Sequence, residues 1–377
     1  MNPALRRTRR AVRLGRRLCS SSSAAAASDP EAWDGRFRLH RPRGQHLLTN
    51  PRVLDEIVRR AGIRPGDAVL EVGPGTGNLT VRLLASPAAT VAAVEIDRRM
   101  VDAVTARAAD LGLAHKLTVI TGDAIDVELP EFDVCVSNIP YCISSPLIAK
   151  LLFGRYRFRT ATLLLQREFA RRLAAAPGDR EYNRLAANAR LVADVRLLMD
   201  VSKREFVPVP IVDSSLVEIR LKETRPTEAA PGVSLDEWLE FLRVCFEQHQ
   251  HQRQKKKTKK EKTLGTIFKQ REMVMELLRR SPRAEGCHGK DGSVVVGLGA
   301  LDDDDDVHDH ENDDDDHCFS KEEIVAFKER VAGTLQSAGL VDMRPSRLSN
   351  DELLRLLRLF NKRGVRFQSC NILSPCL

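Results

Sequence analysis

The feature that most constrains the fold is a regular alternation of short β-branched runs with helical stretches, which begins at residue 68. The runs AVLEVG, TVAAVEID, KLTVITGDA and FDVCVSNIP have the length and composition of buried strands. Between and after them, NLTVRLLAS, RMVDAVTARAADL and SPLIAKLLF have helical spacing. Strands that alternate with helices form βαβ units, which build a parallel sheet covered on both faces. The sequence therefore predicts an α/β domain.

A change of pattern near residue 223 predicts a second, helical domain. The strand-like runs TATLLLQ, VRLLMDVS and SSLVEIRL continue the first pattern to about residue 221. After PTEAAPG, the helical segments are LDEWLEFLRVCFEQ, TLGTIFKQREMVMELLRR, FSKEEIVAFKERVAGTLQSAG and NDELLRLLRLFNKRG. We expect an α/β domain over 43–222, a smaller helical domain over 223–368 and a tail over 369–377.

Two low-complexity segments interrupt the helical part. A basic run, QHQHQRQKKKTKKEK, occupies 248–262, and an acidic, Asp-rich run occupies 283–319. Neither segment has enough apolar surface to offset the entropy lost on ordering it, so we predict two solvated, disordered insertions. The His and Asp residues of the acidic run lack the spacing of a ligand set, and we predict no metal site.

The first 28 residues have the composition of an organellar transit peptide. They contain seven arginines and a Ser/Ala run, and no acidic residue occurs before Asp29. The density of arginine favours a mitochondrial over a chloroplast address. A disordered basic arm that contacts nucleic acid is the alternative. We predict a transit peptide over 1–28 and a linker over 29–42.

Charge and cysteine content narrow the class of protein further. The formal net charge of +8 favours a polyanionic partner, and nucleic acid is the leading candidate. The eight cysteines include no CxxC pair, which indicates neither a zinc site nor a secreted disulfide framework and fits a reducing compartment. No run approaches the roughly 20 apolar residues that span a bilayer, so an integral membrane protein is not expected.

Three predicted strands end in residues that suit a nucleotide-like ligand. LEVGPGTGNL places Glu71 and three glycines between a strand and a helix, where the backbone can approach a ligand closely. Glu95 ends the second strand, where a carboxylate accepts from ribose hydroxyls, and Asp123 follows the third, where a carboxylate can accept from an adenine amine. The carboxyl ends of parallel strands meet at one rim of the sheet, so we expect these residues to converge.

The fourth strand ends in Asn-Ile-Pro-Tyr, which suits an exocyclic base amine. Such an amine is a poor nucleophile because its lone pair is delocalised into the ring, so an enzyme must hold it with hydrogen-bond acceptors. The side-chain oxygen of Asn138 and the main-chain carbonyl of Pro140 are acceptors of this kind. Tyr141 supplies a face on which an extruded base can stack. A simple turn after a strand is the alternative interpretation.

Together, EVGPGTG, VEID, GDA and NIPY, preceded by GQHLLTNP and followed by FVPVPIVDSSLVEI, resemble the KsgA-like rRNA adenine dimethyltransferases. The resemblance covers residues 43–281 and resumes over 320–368, where MRPSRLSNDELLRLLRLFN is similar to the eukaryotic and plant branch. It implies a Rossmann-like methyltransferase sheet with a smaller helical C-terminal domain. It also implies S-adenosylmethionine as donor and transfer of two methyl groups to N6 of each target adenine in small-subunit rRNA.

The resemblance also implies a partner and a place of action. The partner is small-subunit rRNA or the pre-ribosomal small subunit, and the chain is expected to act as a monomer without membrane attachment. With the basic leader, the expected location is the mitochondrion, and the chloroplast and the nucleolus are alternatives.

Individual roles follow from the same resemblance. The implied donor-binding residues are His46, Leu48, Gly73, Glu95, Asp123 and Asn138. The implied target-base residues are Asn138, Pro140, Tyr141 and Phe206, and Phe206 would be the second aromatic face for the flipped adenine. His46 could instead cap a helix, and Phe206 could fill the core beside neighbouring prolines. Ile211 departs from the pattern, since the family usually has a basic residue there.

Three other classes of protein share part of these features. A non-catalytic assembly factor or mitochondrial transcription factor on this fold would be favoured by an altered NIPY or donor carboxylate, and neither is seen. An adenine methyltransferase acting on large-subunit rRNA generally lacks the long eukaryotic-type C-terminal stretch. A nicotinamide oxidoreductase leaves NIPY unexplained.

Overall fold

The structure is a computed structural model, which describes residues 31–33, 38–40, 45–223, 232–246, 261–280 and 319–367. The predicted transit peptide, nearly all of both low-complexity insertions and the predicted tail lie outside the described residues. Part of the predicted linker is described and forms a short antiparallel strand pair. Among the described residues, no helix combines the length and the apolar character needed to cross a membrane.

Eleven strands are described. In chain order they are β1 Glu31–Trp33, β2 Arg38–His40, β3 Leu47–Leu48, β4 Ala68–Val72, β5 Thr90–Glu95, β6 Leu117–Thr121, β7 Val134–Asn138, β8 Thr160–Gln166, β9 Ala193–Val201, β10 Phe206–Val207 and β11 Ser214–Leu221. The described α-helices are α1 Pro51–Ala61, α2 Thr80–Leu84, α3 Arg98–Asp110, α4 Ser144–Phe153, α5 Arg167–Ala174, α6 Arg184–Val192, α7 Leu235–Phe246, α8 Leu264–Phe268, α9 Arg271–Arg280, α10 Lys321–Ser337 and α11 Asn350–Lys362.

Seven of the strands form one sheet in the order β6-β5-β4-β7-β8-β11-β9. The five strands from β6 to β8 in this order are parallel, as predicted, whereas β11 runs antiparallel to both β8 and β9. The chain leaves β4 for β5 on one side and later returns to place β7 on the other. Ligands of open α/β sheets bind at such a reversal of strand order, outside the carboxyl ends of the strands.

Helices cover both faces of the sheet, and the alternation of side chains along each strand explains how. On β7, Val134 and Val136 belong to one buried hydrophobic cluster and Cys135 to the other. On β8, Leu164 and Leu163 divide in the same way. Successive side chains of a strand point to opposite faces of the sheet. A continuous apolar run therefore contributes side chains to the hydrophobic clusters on both faces. The predicted α/β class is confirmed.

The structure adds to the sequence expectation in two places. Helices α5 and α6 lie between β8 and β9, over residues for which no element was predicted. The segment TLGTIFKQREMVMELLRR, predicted as helical, divides into α8 and α9 around Lys269 and Gln270. The residues on both sides of the break have helical periodicity, so the pattern alone could not show it.

The C-terminal helices pack directly against α6. Asn350, the first residue of α11, donates its amide to the Ala187 carbonyl at 2.9 Å and accepts from the Tyr182 hydroxyl at 3.3 Å. The larger buried cluster runs without interruption from sheet residues such as Leu163 to Phe360 in α11. The domain boundary near residue 223 stays a prediction.

A buried network of ion pairs joins α7 to α9. Glu240 is 5% exposed and accepts from Arg243 at 2.6 Å and from Arg280, while Glu276 accepts from both arginines at 2.6 Å. Burial opposes ionisation of Glu240, but the hydrogen bonds from Arg243 and Arg280 outweigh it and hold its pKa below the ordinary value. Each buried charge therefore has a partner, which is the condition under which burial is tolerated.

Candidate active site

The predicted donor and target residues lie at the same rim of the sheet. Gly73 follows β4, Glu95 ends β5, Asp123 follows β6 and Asn138 ends β7, and these four strands are neighbours. The GQHLL segment reaches the same rim, because the Asn138 amide donates to the His46 carbonyl at 3.1 Å. The convergence expected from the sequence is therefore present in the fold.

The glycine loop after β4 packs too closely for side chains. Gly73 has φ +71°, its N–H donates to the Val94 carbonyl at 2.9 Å, and a Cβ there would lie 3.2 Å from the Pro140 Cδ atom. Gly75 has φ +55°, and a Cβ there would lie 2.8 Å from the Leu47 Cδ2 atom. Left-handed backbone without a side chain is the property that glycine supplies. The loop is thus fitted against both the NIPY and the GQHLL segments.

Glu95 is held by backbone donors on both of its oxygens. Oε1 accepts from the N–H groups of Ile96 at 2.9 Å and Asp97 at 3.0 Å, and Oε2 accepts from Gly75 N–H at 3.2 Å. Burial raises the pKa of Glu95, and these three hydrogen bonds partly oppose that rise. The carboxylate therefore has a fixed orientation beside the glycine loop, as recognition of a diol requires.

A second acidic residue, Asp97, ties the GQHLL segment to the loop after β5. Its Oδ2 accepts from the Gln45 side chain at 3.0 Å and from Arg99 at 2.7 Å, and its Oδ1 caps α3. The hydrogen bonds from Arg99 are the main reason that its pKa is lowered to about 2. Sequence reasoning missed Gln45, whose role depends on a contact between segments 52 residues apart.

Glu71 is the most deeply buried carboxyl group near this rim. It lies on β4 and is 1% exposed, and its Oε2 atom has no hydrogen-bond partner among the described residues. The pKa of Glu71 is raised to about 8, chiefly by burial and to a smaller extent by the nearby Glu95 carboxylate, while Thr80 opposes the rise. At neutral pH Glu71 is therefore mainly an uncharged carboxylic acid.

The loop that carries Asp123 is fastened by a lysine. The Lys150 ammonium on α4 donates to the carbonyls of Ala124 at 2.9 Å, Ile125 at 3.1 Å and Val127. Asp123 Oδ1 in turn accepts from the Ile125 N–H at 3.0 Å. Burial lowers the pKa of Lys150, and the charges of Asp126 and Asp123 oppose that change. Lys150 carried no signal in the sequence, because a lysine on an amphipathic helix is ordinarily solvated.

The orientation of Asn138 is set by its contact with the GQHLL segment. Because the His46 main-chain carbonyl accepts only donors, the Nδ2 group of Asn138 must face it, at 3.1 Å. The Oδ1 atom of Asn138 then points away from this contact and keeps its lone pairs for another donor. A turn-forming asparagine would normally bond its own local backbone instead.

The main-chain carbonyls of the two residues after Asn138 differ in the hydrogen bonds that they accept. The Pro140 carbonyl, predicted as an acceptor for the target amine, already accepts from Ile143 N–H at 3.1 Å and from the Ser144 hydroxyl at 3.5 Å. In the part of the chain that the structure describes, no hydrogen bond is made to the carbonyl of Ile139. Ile139 is therefore a second candidate acceptor that the sequence did not single out.

Tyr141 is braced on both its edge and its face. Its hydroxyl lies 2.8 Å from the Ser214 hydroxyl, and its ring stacks with that of His46 at a centroid distance of 6.2 Å. Burial raises the pKa of Tyr141, so the phenol stays neutral. His46 Nδ1 lies 2.8 Å from the Pro208 carbonyl and must donate to it. The ring pair thereby joins NIPY to the segment FVPVPIV.

Two predicted residues are buried. Phe206 is 1% exposed and lies in the hydrophobic core with Leu48, because pairing of β10 with β3 turns this ring inward. Its role as the second stacking face stays a prediction. Leu48 is also buried, and its carbonyl accepts from Asn78 at 2.9 Å. The adjacent side chain, Leu47, is the one that faces the glycine loop.

Among the described residues, no cluster of three or more His, Cys, Asp or Glu side chains has a geometry that could hold a metal ion.

Comparison with known proteins identifies the family of this chain. A sequence profile described as ribosomal RNA adenine dimethylase matches residues 36–282, which is well over half of the chain. The chain belongs to this family. A mitochondrial ribosomal RNA small subunit methyltransferase from Arabidopsis thaliana is 50% identical over 89% of this chain and 82% of its own length. A dimethyladenosine transferase from Schizosaccharomyces pombe is 40% identical over 91% and 96% of the two chains.

Solved structures agree with the fold. The crystal structure of a dimethyladenosine transferase from Plasmodium falciparum has a TM-score of 0.65 and 34% identity and covers 85% of this dimethylase and 99% of its own chain. The 23S rRNA methyltransferase ErmE, at 22% identity and a TM-score of 0.53, covers 84% and 99% and supports the fold alone. The predicted family resemblance and the Rossmann-like methyltransferase fold are confirmed.

Proposed function

We propose that this dimethylase transfers methyl groups from S-adenosylmethionine to N6 of adenines in small-subunit ribosomal RNA. Membership of the family supports the reaction class and the RNA substrate. The single structural observation that supports it most is the orientation of Asn138, whose amide nitrogen donates to the His46 carbonyl and whose Oδ1 atom is therefore turned away from that contact. An acceptor is the group that an incoming amine needs at this position.

The donor set fits a molecule that combines a ribose, an adenine and a positively charged sulfur. Glu95 would hold the ribose hydroxyls, since its orientation is fixed by three backbone N–H groups. Asp123 would accept from the adenine amine, and Gly73 would lie beneath the methionine portion. A Cβ at Gly73 would crowd Pro140, so the loop also leaves the least possible bulk at the point where donor and target meet. When bound, the donor supplies an electrophilic methyl group on a sulfonium that departs as a neutral thioether.

The target amine would be held by acceptors rather than attacked by a base. Asn138 Oδ1, together with the carbonyl of Ile139 or Pro140, would accept its two N–H groups and favour a pyramidal nitrogen with an available lone pair. Tyr141 would stack on the extruded adenine ring. The amine can lose its proton to water after the new N–C bond forms, so no ionised base is needed. Repetition of the same transfer would give dimethyladenosine.

The setting of the reaction is part of the proposal. We infer that the chain acts in mitochondria, which is supported by the arginine-rich leader and by the mitochondrial name of the Arabidopsis relative. We also infer that it acts as a monomer on small-subunit rRNA or the pre-ribosomal small subunit. A non-catalytic assembly or mitochondrial transcription factor is the rival, and the intact acceptor and carboxylate geometry argues against it.

The test is methylation of unmodified small-subunit particles with labelled S-adenosylmethionine, followed by nucleoside analysis. The expected product is dimethyladenosine, and Asn138→Ala should fold normally but lose the chemical step. Glu131→Ala, at an exposed position away from the rim, is the matched control. Labelled product with Asn138→Ala at the wild-type single-turnover rate would show that NIPY is only a turn. Absence of dimethyladenosine with the wild type would favour the non-catalytic rival.

A further inference from the structure

Three exposed apolar side chains stand in a row beside the candidate site. Val207, Val209 and Ile211 are 38%, 57% and 91% exposed. The alternating Pro208 and Pro210 are buried. Exposure therefore alternates along the segment, so the three apolar side chains lie on its solvent side and form a ridge. We call Val207, Val209 and Ile211 the apolar ridge; such a concentration of exposed apolar surface indicates a contact surface.

The apolar ridge is fixed in position by hydrogen bonds to its backbone and its flanks. His46 Nδ1 donates to the Pro208 carbonyl at 2.8 Å, and the Lys203 ammonium donates to the Ile211 carbonyl at 3.2 Å. Asp213 accepts from the Lys203 main-chain N–H at 3.0 Å. These hydrogen bonds fix the backbone so that the apolar side chains stay exposed to water. A loop that served only solubility would carry polar side chains at these positions.

The ridge is also continuous with the groups that would hold the target adenine. His46, which fastens the ridge, stacks on Tyr141, and Ser214, three residues beyond the ridge, contacts the Tyr141 hydroxyl. Lys203 and Arg204 are exposed immediately before the ridge. The apolar ridge thus has cations on one side and the Tyr141 ring on the other. This combination suits an RNA, which has charged phosphates and stacked bases, better than it suits a protein partner.

We propose that the apolar ridge is a wedge that enters the base stack of the RNA substrate next to the target adenine. This proposal rests on the proposed function. Extrusion of a base breaks its stacking with both neighbours, and apolar side chains inserted at the step replace part of the lost contact. Lys203 and Arg204 would contact the adjoining phosphates. The ridge would therefore matter most where the adenine has to be drawn out of a stack.

The test compares two RNAs that share the sequence around the mapped target adenine. In one RNA this adenine is stacked within a hairpin, and in the other the strand is unstructured. The double variant Val209→Ser/Ile211→Ser is measured against Leu111→Ser, an apolar residue at the C-terminal end of α3 that is about as exposed as Val209. Single-turnover methylation is recorded on both RNAs. The fluorescence of 2-aminopurine placed at the target position of the hairpin is recorded separately and reports extrusion without methyl transfer.

The double variant should lose about tenfold or more in rate on the hairpin relative to its loss on the unstructured RNA, and should fail to raise the 2-aminopurine signal. Leu111→Ser should behave as wild type on both. An equal loss on the two RNAs, or no loss on either, would overturn the wedge. If the wild type methylates neither RNA, the proposed function is still decided by the assay on small-subunit particles, and the fluorescence difference between wild type and double variant decides the wedge.

Discussion

Replacing Glu71 with glutamine should make the protein more resistant to alkaline pH. In the folded protein burial keeps the carboxyl protonated up to a pKa of about 8, whereas an ordinary carboxyl loses its proton at 4.5. Above pH 4.5 only the unfolded chain gains from deprotonation, so the stability conferred by the buried acid is complete below 4.5 and is lost as the pH rises to about 8. The amide of Glu71→Gln has no proton to lose and avoids this decline.

The size of the effect follows from the two pKa values. The difference in free energy of unfolding between Glu71→Gln and the wild type should grow by about 1.4 kcal/mol for each pH unit, which amounts to about 5 kcal/mol by pH 8. That is comparable with the whole stability of a typical domain, about 5 to 15 kcal/mol, so the effect is measurable even if water reaches the site in part.

Urea denaturation followed by circular dichroism between pH 5 and pH 8.5 measures this difference. Glu131→Gln, which removes an exposed carboxyl, is the matched control. A difference between Glu71→Gln and the wild type that stays constant with pH would refute the reasoning, because it would mean that Glu71 is ionised in the folded protein and that its charge is compensated.

Four further predictions concern the donor site, the target site and the C-terminal helices. Glu95→Gln should weaken S-adenosylmethionine binding by about 1.5 to 3 kcal/mol through loss of charge-assisted hydrogen bonds, and calorimetric titration that gives wild-type affinity would contradict it. Lys150→Met should weaken donor binding about tenfold by leaving three loop carbonyls without their common donor, while Lys150→Arg recovers part of the loss in the same titration. Tyr141→Phe keeps the ring and should methylate nearly normally, whereas Tyr141→Ala should lose about 1 to 3 kcal/mol of base stacking in single-turnover assays. Glu240→Gln should destabilise the protein by about 3 kcal/mol in thermal melts. The wild type should lose this contribution as the pH falls below 4.5, because the pKa of Glu240 is lowered in the folded state and its protonation breaks the same pairs.

The sequence by itself determined the fold class and the family. Short β-branched runs that alternate with helical spacing located the strands from β4 to β8, and the ends of successive parallel strands must meet at one rim. Glu95, Asp123 and Asn138 could therefore be placed together from their positions after strands alone. These predictions succeeded because each depends on local backbone preference and on a rule of sheet topology, which require no knowledge of distant contacts.

The tertiary structure decided which atoms of those residues are available. Pairing of β10 with β3 buried Phe206 and Leu48, although both looked suited to the site, and exposed Val207 beside it. The orientation of Asn138 depends on a carbonyl 92 residues away. Lys150 donates to the carbonyls of the Asp123 loop because α4 packs over that loop, which is recognisable in the sequence only as a polar segment. Burial, hydrogen-bond partners and pKa values arise from contacts between segments remote in the chain, and such contacts form only when the whole sheet has assembled.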